Sequence, residues 1–413
     1  MASPAPVMSM LGTVTGQLAE VTRATGRPVH ADPSELISGR AALAGFSRRG
    51  QISAGGGSYL LPAVDGWCAV TLSRPDDLAA VPAILGALGL DAGGPGSGAL
   101  SALAAAAAVR PAEDLASAAQ LLGVPAAALP PAGDRPVPAS WPPWQTTRIA
   151  RPSAGVRLAG AVVADLSSMW AGPLCARLLG LAGAHVIKVE SPDRPDGGRS
   201  GPREFFDWLH AGHRSVTADF RTGDGRSALR TLIEAADIVI EASRPRALAA
   251  LGLAPETMPH RDGQVWLSIT GYGRTTPDQV AFGDDAAVAG GLVGWVTSGP
   301  APEPVFCADA IADPLTGVCG ALVVARSLAA GGGELIDLPM REVAGVFAAA
   351  SAPDHGPHEV RPDGSVSCPS SGREQAVQPP RRLAPLNGVR TAAEPGADTA
   401  AVFAWLAGRR ATC

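Results

Sequence analysis

Apolar positions change their spacing several times along the chain, and each change marks an element. Met10 to Thr25 repeats apolar residues at helical spacing and predicts an N-terminal helix. After the glycine-rich stretch Ser53-Ala54-Gly55-Gly56-Gly57, two apolar runs in SYLLPAVDGWCAVTL flank Asp65-Gly66, a dipeptide suited to a tight hairpin turn. PDDLAAVPAILGALGL follows with Asp76 or Asp77 placed to cap a helix, and two Ala-rich helical segments then run to Leu129.

From 157 onward the pattern alternates. AVVADL (161–166), HVIKVE (185–190), SVTADF (215–220), DIVIEA (237–242) and QVWLSIT (264–270) are short apolar strands, while Gly172 to Ala184 and Gly225 to Ala236 carry helical spacing between them. Strands separated by helices predict an α/β fold: a doubly wound, mainly parallel sheet with helices on both faces, plus a smaller α+β domain. The expected division is a small domain at 1–135, a Pro-rich linker at 136–156, the doubly wound domain at 157–345 and a Pro/Gly-rich tail at 346–413. That tail ends in a short helix, GADTAAVFAWLAG, with Asp398 or Thr399 as its cap.

Composition narrows the function classes. The 413 residues include 50 glycines and 38 prolines, which favours many turns and some unstructured linker, yet 46% are hydrophobic and only 17% charged. A charge-rich disordered chain is thereby excluded. The net charge of -5 and the lack of any Lys/Arg-rich stretch remove the footprint of a nucleic-acid binder. Ala99 to Val109, the longest apolar run, is about half of a membrane span. The N-terminus has no basic leader, and six scattered cysteines form no CxxC pair. These features predict a cytoplasmic protein with reduced thiols, no metal site and no membrane or nucleic-acid partner.

Few residues are placed for chemistry. Asp313-Pro314 precedes the apolar run GVCGALVVARSL, so a helix is expected to start with Asp313 as cap and Pro314 in its first turn. Residue type and position by themselves favour an ordinary cap over a nucleophile, and Asp309 competes for either role. Asp284-Asp285 opens another helical pattern, where two adjacent carboxylates raise each other's pKa or form a cap and a solvated charge. The turn LSSMWAGP after the first strand lacks GxGxxG, which argues against a nicotinamide or flavin site even though Glu190 ends the second strand. Gly55 to Gly57 reads as a mobile cover or a plain loop. His185 lies inside a strand pattern and reads as structural.

Six blocks taken together carry a resemblance: VVADLSSMWAGPLCARLLGLAGAHVIKVESP, AGHRSVTADFRTGDGR, ADIVIEASRPRALAALGL, LSITGYGRTTP, CADAIADPLTGVCGAL and GGGELIDLPMRE. In order and spacing, residues 157–345 resemble the class III CoA-transferases (CaiB/BaiF type), a family that includes formyl-CoA transferase and α-methylacyl-CoA racemase. RGQISAGGGSYLLPAVDGWCAVTLSRPDDLAAVPAILG resembles that family's glycine loop and small domain, which usually follow the first Rossmann-like part but here precede it.

The resemblance implies that Asp313, four residues ahead of Gly317, is the catalytic carboxylate. CoA would pass between an acyl-CoA thioester and a carboxylic acid through an aspartyl mixed anhydride and an aspartyl-CoA. It further implies contact of CoA with Trp170, Ala171, Lys188, Arg221, Ser243 and Arg244, and an active-site loop at Gly55, Gly56 and Gly57. No permanently bound cofactor is implied, and a homodimer is. Departures keep two alternatives open, an acyl-CoA racemase or isomerase and a non-catalytic CoA-binding subunit. Trp170 before AGP, Ala242-Ser243 in place of the family's Asn-Phe and the rearranged domain order prompt the second, while the first would need Asp284, before Asp285, to replace the histidine of racemases, which argues against racemisation.

Overall fold

The computed structural model describes residues 5–91, 98–131, 141–154, 157–296, 301–350, 359–360, 365–368, 372–376, 381–383 and 391–411. Two helices open the chain, α1 (Ala5–Thr25) and α2 (Pro33–Ala44). The start of α2 follows from local chemistry. Asp32 accepts the backbone N–H groups of Ser34 and Glu35, Pro33 fills the first position, and Gly45 ends the helix in a left-handed conformation.

The small domain pairs β1 (Ser58–Ala63) with β2 (Gly66–Thr71), then adds α3 (Pro75–Ala87), α4 (Ala99–Ala107), α5 (Ala112–Leu121) and β3 (Ala126–Ala128), which closes on β2. The register places Ala63 opposite Gly66, so the turn residues are Val64 and Asp65 rather than the expected Asp65 and Gly66. Asp65 instead accepts the Ala112 N–H at 2.8 Å, which caps α5 from across the domain. In α3 the cap position is Arg74. Asp77 sits in the third helical position and reaches back to the Arg74 N–H at 2.8 Å. Leu61, Val70, Val81, Ile84, Leu103 and Leu115 fill this domain's own core.

The large domain runs β4 (Gln145–Arg148), β5 (Val162–Asp165), α6 (Ala171–Leu181), β6 (His185–Glu190), α7 (Arg203–His210), β7 (Arg214–Thr217), α8 (Gly223–Ala235), β8 (Ile238–Glu241), α9 (Pro245–Ala250), β9 (Val265–Thr270) and α10 (Gly283–Ala289). A hairpin of β10 (Gly294–Val296) and β11 (Glu303–Val305) leads to α11 (Ala312–Ala329), β12 (Glu334–Pro339) and α12 (Met340–Ala348). Seven strands form one sheet in the order β4-β12-β9-β8-β5-β6-β7, parallel throughout except for β4, which is antiparallel to β12. The chain winds outward in both directions from β5, which pairs with both β6 and β8. The switch point of this doubly wound sheet therefore lies at the ends of β5 and β8, where such sheets open a crevice.

Alternation along the strands feeds two cores. Val163, Ile238 and Ile240 face one side with α6, α11 and α12, while Val162, Ala164 and Val239 face the other with α8. Val7, Leu11, Val14 and Leu18 of α1 are buried in the first of these cores, as are Leu36 and Ile37 of α2. The division expected at 135 thus differs from the packing. The first two helices belong with the large sheet because α1 packs on α11 and α2 on α1 and α7, and the small domain's own core begins in β1. α11 is the described helix long and apolar enough to cross a membrane, and 83% of it is buried inside the protein.

The SVTADF strand stops at Thr217. Beyond it Asp219 accepts the Arg221 N–H at 3.0 Å and Thr222 caps α8, a turn that ends the extended backbone. The expected linker is described only over 141–154, where β4 borders the sheet; 136–140 and 155–156 lie outside the described residues. Of the tail, β13 (Glu359–Val360), β14 (Ser365–Cys368) and β15 (Arg373–Ala376) form a small antiparallel sheet. The final helix, α13 (Thr399–Ala411), docks on β7: Asp398 accepts the Ser215 N–H at 2.8 Å and Thr399 the Thr217 N–H at 3.1 Å. Asp398, one of the two residues expected as cap, directly precedes the helix and its carbonyl accepts the Val402 N–H, while both side chains satisfy the open edge of the sheet.

Candidate active site

Two helix N-termini meet at the switch point. The loop after β5 is tied down by Asp165, whose Oδ1 accepts the Ser167 backbone N–H and hydroxyl, and Met169 takes a left-handed backbone (φ 73°) just before α6. Against it comes α11. Asp313 is the second residue of that helix, not its cap, because the helix begins at Ala312 and the Asp313 N–H already donates to the Ala310 carbonyl at 2.9 Å. Its carboxylate is therefore free of capping duty and lies beside the backbone N–H of Ala171, the first residue of α6, which favours its charged form.

The segment ahead of α11 is held in an unusual shape. Ala308 (φ 54°) and Ala310 (φ 44°) are both left-handed without being glycine, at a cost of about 1–2 kcal/mol each. Between them Asp309 is 2% exposed, with its Oδ1 paired to Arg40 of α2 at 3.1 Å. The Ala310 N–H donates to Asp284 Oδ1 at 3.1 Å. Gly283 faces this corner closely: a Cβ there would lie 2.2 Å from Asp313 Oδ2 and 2.5 Å from the Ala310 carbonyl oxygen. Only hydrogen fits.

Four carboxylates consequently share one small region, and burial raises each of them. Asp313 is pushed up to about 7 by desolvation, with Asp284 and Asp309 adding to the rise while Arg40 and the Ala171 amide oppose it. Asp309 is raised to about 6 by burial, against the Arg40 charge. Asp285, fully buried, is raised to about 8 although its Oδ1 accepts the Phe282 N–H and the Thr71 hydroxyl, each at 3.0 Å. Asp284 is raised as well, by burial; the Ser58 hydroxyl donates to its Oδ2 at 3.0 Å, and Ser58, Arg40 and Ser53 oppose the rise. An acid near neutrality, next to helix amides, is equipped to be anionic at working pH while remaining poorly solvated.

Ser53 and Ser58 bracket Gly55, Gly56 and Gly57, so the glycine loop sits over the same cluster within one chain. The Gly56 N–H donates to the Ser53 carbonyl at 2.9 Å, and Gly56 is left-handed (φ 80°). The loop's flanks dock on α10 through Ser58 and Asp284, and through Thr71 and Asp285.

The expected CoA contacts are placed unevenly. Trp170 and Ala171 border Asp313, with Trp170 buried against Phe205 at a ring distance of 5.1 Å. Lys188, expected to meet a phosphate, is instead 2% exposed and pairs with Asp196 at 2.7 Å and Asp165 at 4.0 Å while donating to the Ser167 carbonyl. Two buried carboxylates claim that charge, so it stiffens the loop after β5. Arg221 is exposed, between Asp193 at 2.5 Å and Asp219 at 3.0 Å. Ser243 and Arg244 are half-buried beside α9, and Arg244 lies in the field of Arg74, Arg194 and Arg246. Arg40, Ser53, Ser58 and Thr71 were not singled out as site residues: the serines and Thr71 lie in and beside the glycine loop without a mark of their own, and Arg40, outside every motif, is 269 positions from Asp309.

The crossing of α6 and α11 depends on Gly317, where a Cβ would fall 2.7 Å from the Ala171 carbonyl oxygen and 2.9 Å from Leu174 Cβ. Gly317→Ala is expected to lower stability by about 1–3 kcal/mol through overpacking. It should also displace the Ala171 amide from Asp313. Denaturant midpoints measured beside the wild type check the first effect; an unchanged midpoint would mean the helices separate freely.

The fold and site define a doubly wound α/β protein that holds a buried, helix-borne carboxylate at its switch point under a loop from a second domain. The model of the family described as CoA-transferase family III matches residues 158–384, and the chain belongs to that family. Among curated relatives it is 32% identical over 206 residues to a succinate--glutarate CoA-transferase of Agrobacterium fabrum, covering 45% of this chain and 51% of that protein. It is also 32% identical over 194 residues to a succinyl-CoA--D-citramalate CoA-transferase of Chloroflexus aurantiacus, covering 44% and 48%. The chain spans about half the length of the curated relatives it matches. Among solved structures, a CaiB/BaiF family protein from Brucella suis is 28% identical with a TM-score of 0.42, over 52% of this chain and 64% of that one.

Proposed function

We propose that this chain transfers CoA between an acyl-CoA thioester and a carboxylic acid, with Asp313 as the nucleophile. The observation that carries the reading is the Asp313 carboxylate in the first turn of α11, held against the first amide of α6. An Asp313 oxygen attacks the thioester carbonyl, the C–S bond breaks and CoA leaves as the thiolate, giving a mixed anhydride. The thiolate then attacks the aspartyl carbonyl and releases the acyl group as a free carboxylate. An acceptor carboxylate attacks the resulting aspartyl-CoA, and the returning thiolate takes the new acyl group and regenerates Asp313.

A carboxylate is a weak nucleophile, so the site has to supply proximity and dryness. The helix amides near Ala171 offer donors to the developing oxyanion, and the loop at Gly55 to Gly57 would keep water off the anhydride. The family membership and the relatives' names support the same chemistry, and those names make short dicarboxylic acyl-CoA esters the first substrates to try.

The test is incubation with succinyl-CoA and labelled succinate or glutarate, followed by hydroxylamine. Label entering the CoA ester, together with a hydroxamate at Asp313 in the peptide mass spectrum, is the expected result. Absence of both across a panel of acyl-CoA esters would overturn the reading.

A further inference from the structure

Arg40 lies outside every motif that marks the site, yet it is the most constrained cation near it. Its guanidinium sits 5.2 Å from the ring centre of Trp170, 5.6 Å from that of Phe46 and 5.9 Å from that of Phe205. Nη1 donates to Asp309 Oδ1 at 3.1 Å, and a Cβ on Gly55 would lie 3.9 Å from Nη2. Three aromatic faces, one carboxylate and the glycine loop therefore hold the group in one place, and its side chain is 25% exposed. Asp309 is itself pinned by the left-handed alanines on either side of it. Trp170 directly precedes Ala171, so the cage adjoins the amide that favours the charged form of Asp313.

The charged groups facing Asp313 come from three places: Arg40 on α2, Asp284 on α10 and Asp309 in the loop before α11; α6 contributes the Ala171 amide. Of these groups Arg40 is the positive one, and its charge opposes the rise that burial imposes on Asp313. We propose that Arg40 is the positioning residue of this site, a caged positive charge that keeps the Asp313 carboxylate anionic and turned toward the Ala171 amide while the substrate carbonyl approaches. This rests on the reading that Asp313 attacks the thioester. Burial and two neighbouring carboxylates oppose ionisation, and an entering acyl-CoA dries the site further. A fixed cation has to offset both. Because Arg40 is already immobilised by its cage, little side-chain freedom is lost when the substrate binds.

The experiment compares the wild type with Arg40→Met, Arg40→Lys and the double variant Arg40→Met/Asp309→Asn, each checked for folding by its melting curve. Exchange is measured from pH 5.5 to 9.5. In parallel, carbodiimide modification of Asp313, which consumes the protonated acid, is followed by peptide mass spectrometry without substrate. Arg40→Met is expected to move both titrations of Asp313 upward by about one pH unit, which is roughly fivefold in exchange rate at pH 7 and about tenfold at pH 5.5, with recovery near pH 9.5 and little change in KM. Arg40→Lys should restore much of the original midpoint, and the double variant should shift it back down because the Asp309 charge is also gone. A loss equal at every pH, or an Asp313 midpoint that does not move, would overturn the proposal. If the wild type shows no exchange, the function reading fails, and the carbodiimide titration still decides the role of Arg40.

Discussion

Asp313→Ala is expected to lower acyl exchange by roughly a thousandfold or more while leaving the fold intact, because no neighbouring group can replace the attacking oxygen. Asp309 is the nearest rival in sequence, but its Oδ1 is engaged by Arg40 and the residue is 2% exposed. Asp284 holds the Ala310 N–H on one oxygen and the Ser58 hydroxyl on the other. Asp313 is the carboxylate left facing a helix amide with no cation bonded to it among the described residues. Removing it should not destabilise the chain at pH 8, since burial already disfavours its charged form. Exchange assays and melting curves on Asp313→Ala and Asp309→Ala make the check. An inactive Asp309→Ala beside an active Asp313→Ala would move the chemistry to Asp309 and overturn the assignment.

Asp285→Asn is expected to stabilise the protein in alkaline solution and flatten its dependence on pH. The Asp285 carboxyl is raised from an ordinary value near 4 to about 8 in the folded chain. Between those values the folded state keeps a proton that the unfolded state has lost. Stability is therefore greatest below about pH 4 for this group and declines as pH rises toward 8. A displacement of that size corresponds to roughly 5 kcal/mol across the whole range. Asn keeps an oxygen for the Phe282 N–H and the Thr71 hydroxyl, and it never ionises. The melting temperature of Asp285→Asn should change less between pH 5 and 8.5 than that of the wild type, with the variant ahead at 8.5. Identical slopes would mean that Asp285 is not the group responsible. Asp313 and Asp309, raised to about 7 and about 6, add slope of the same sign. Exchange by an anionic Asp313 should rise over the pH range in which stability falls.

By itself the sequence determined the alternation that builds the sheet. HVIKVE is β6 residue for residue, and DIVIEA and QVWLSIT contain β8 and β9. Short apolar runs buried on both faces leave few other places for such segments. The sequence also determined that a helix starts near Asp313-Pro314 and that a glycine loop leads into a hairpin. What these pieces do to one another was decided in three dimensions. Asp313 looked like a cap because cap preference is local. The start of α11 is set by two left-handed alanines and by Asp284, which lies 26 positions before the Ala310 amide it accepts. Lys188 looked available until β5 and the loop after β6 brought Asp165 and Asp196 onto it. Helix α1 was legible, but its partner α11 lies some three hundred residues further along. Arg40 carries no local mark of its role. Periodicity and turn chemistry act between neighbours in sequence, whereas the state of a charge depends on what buries and pairs it, and here those groups come from distant parts of the chain.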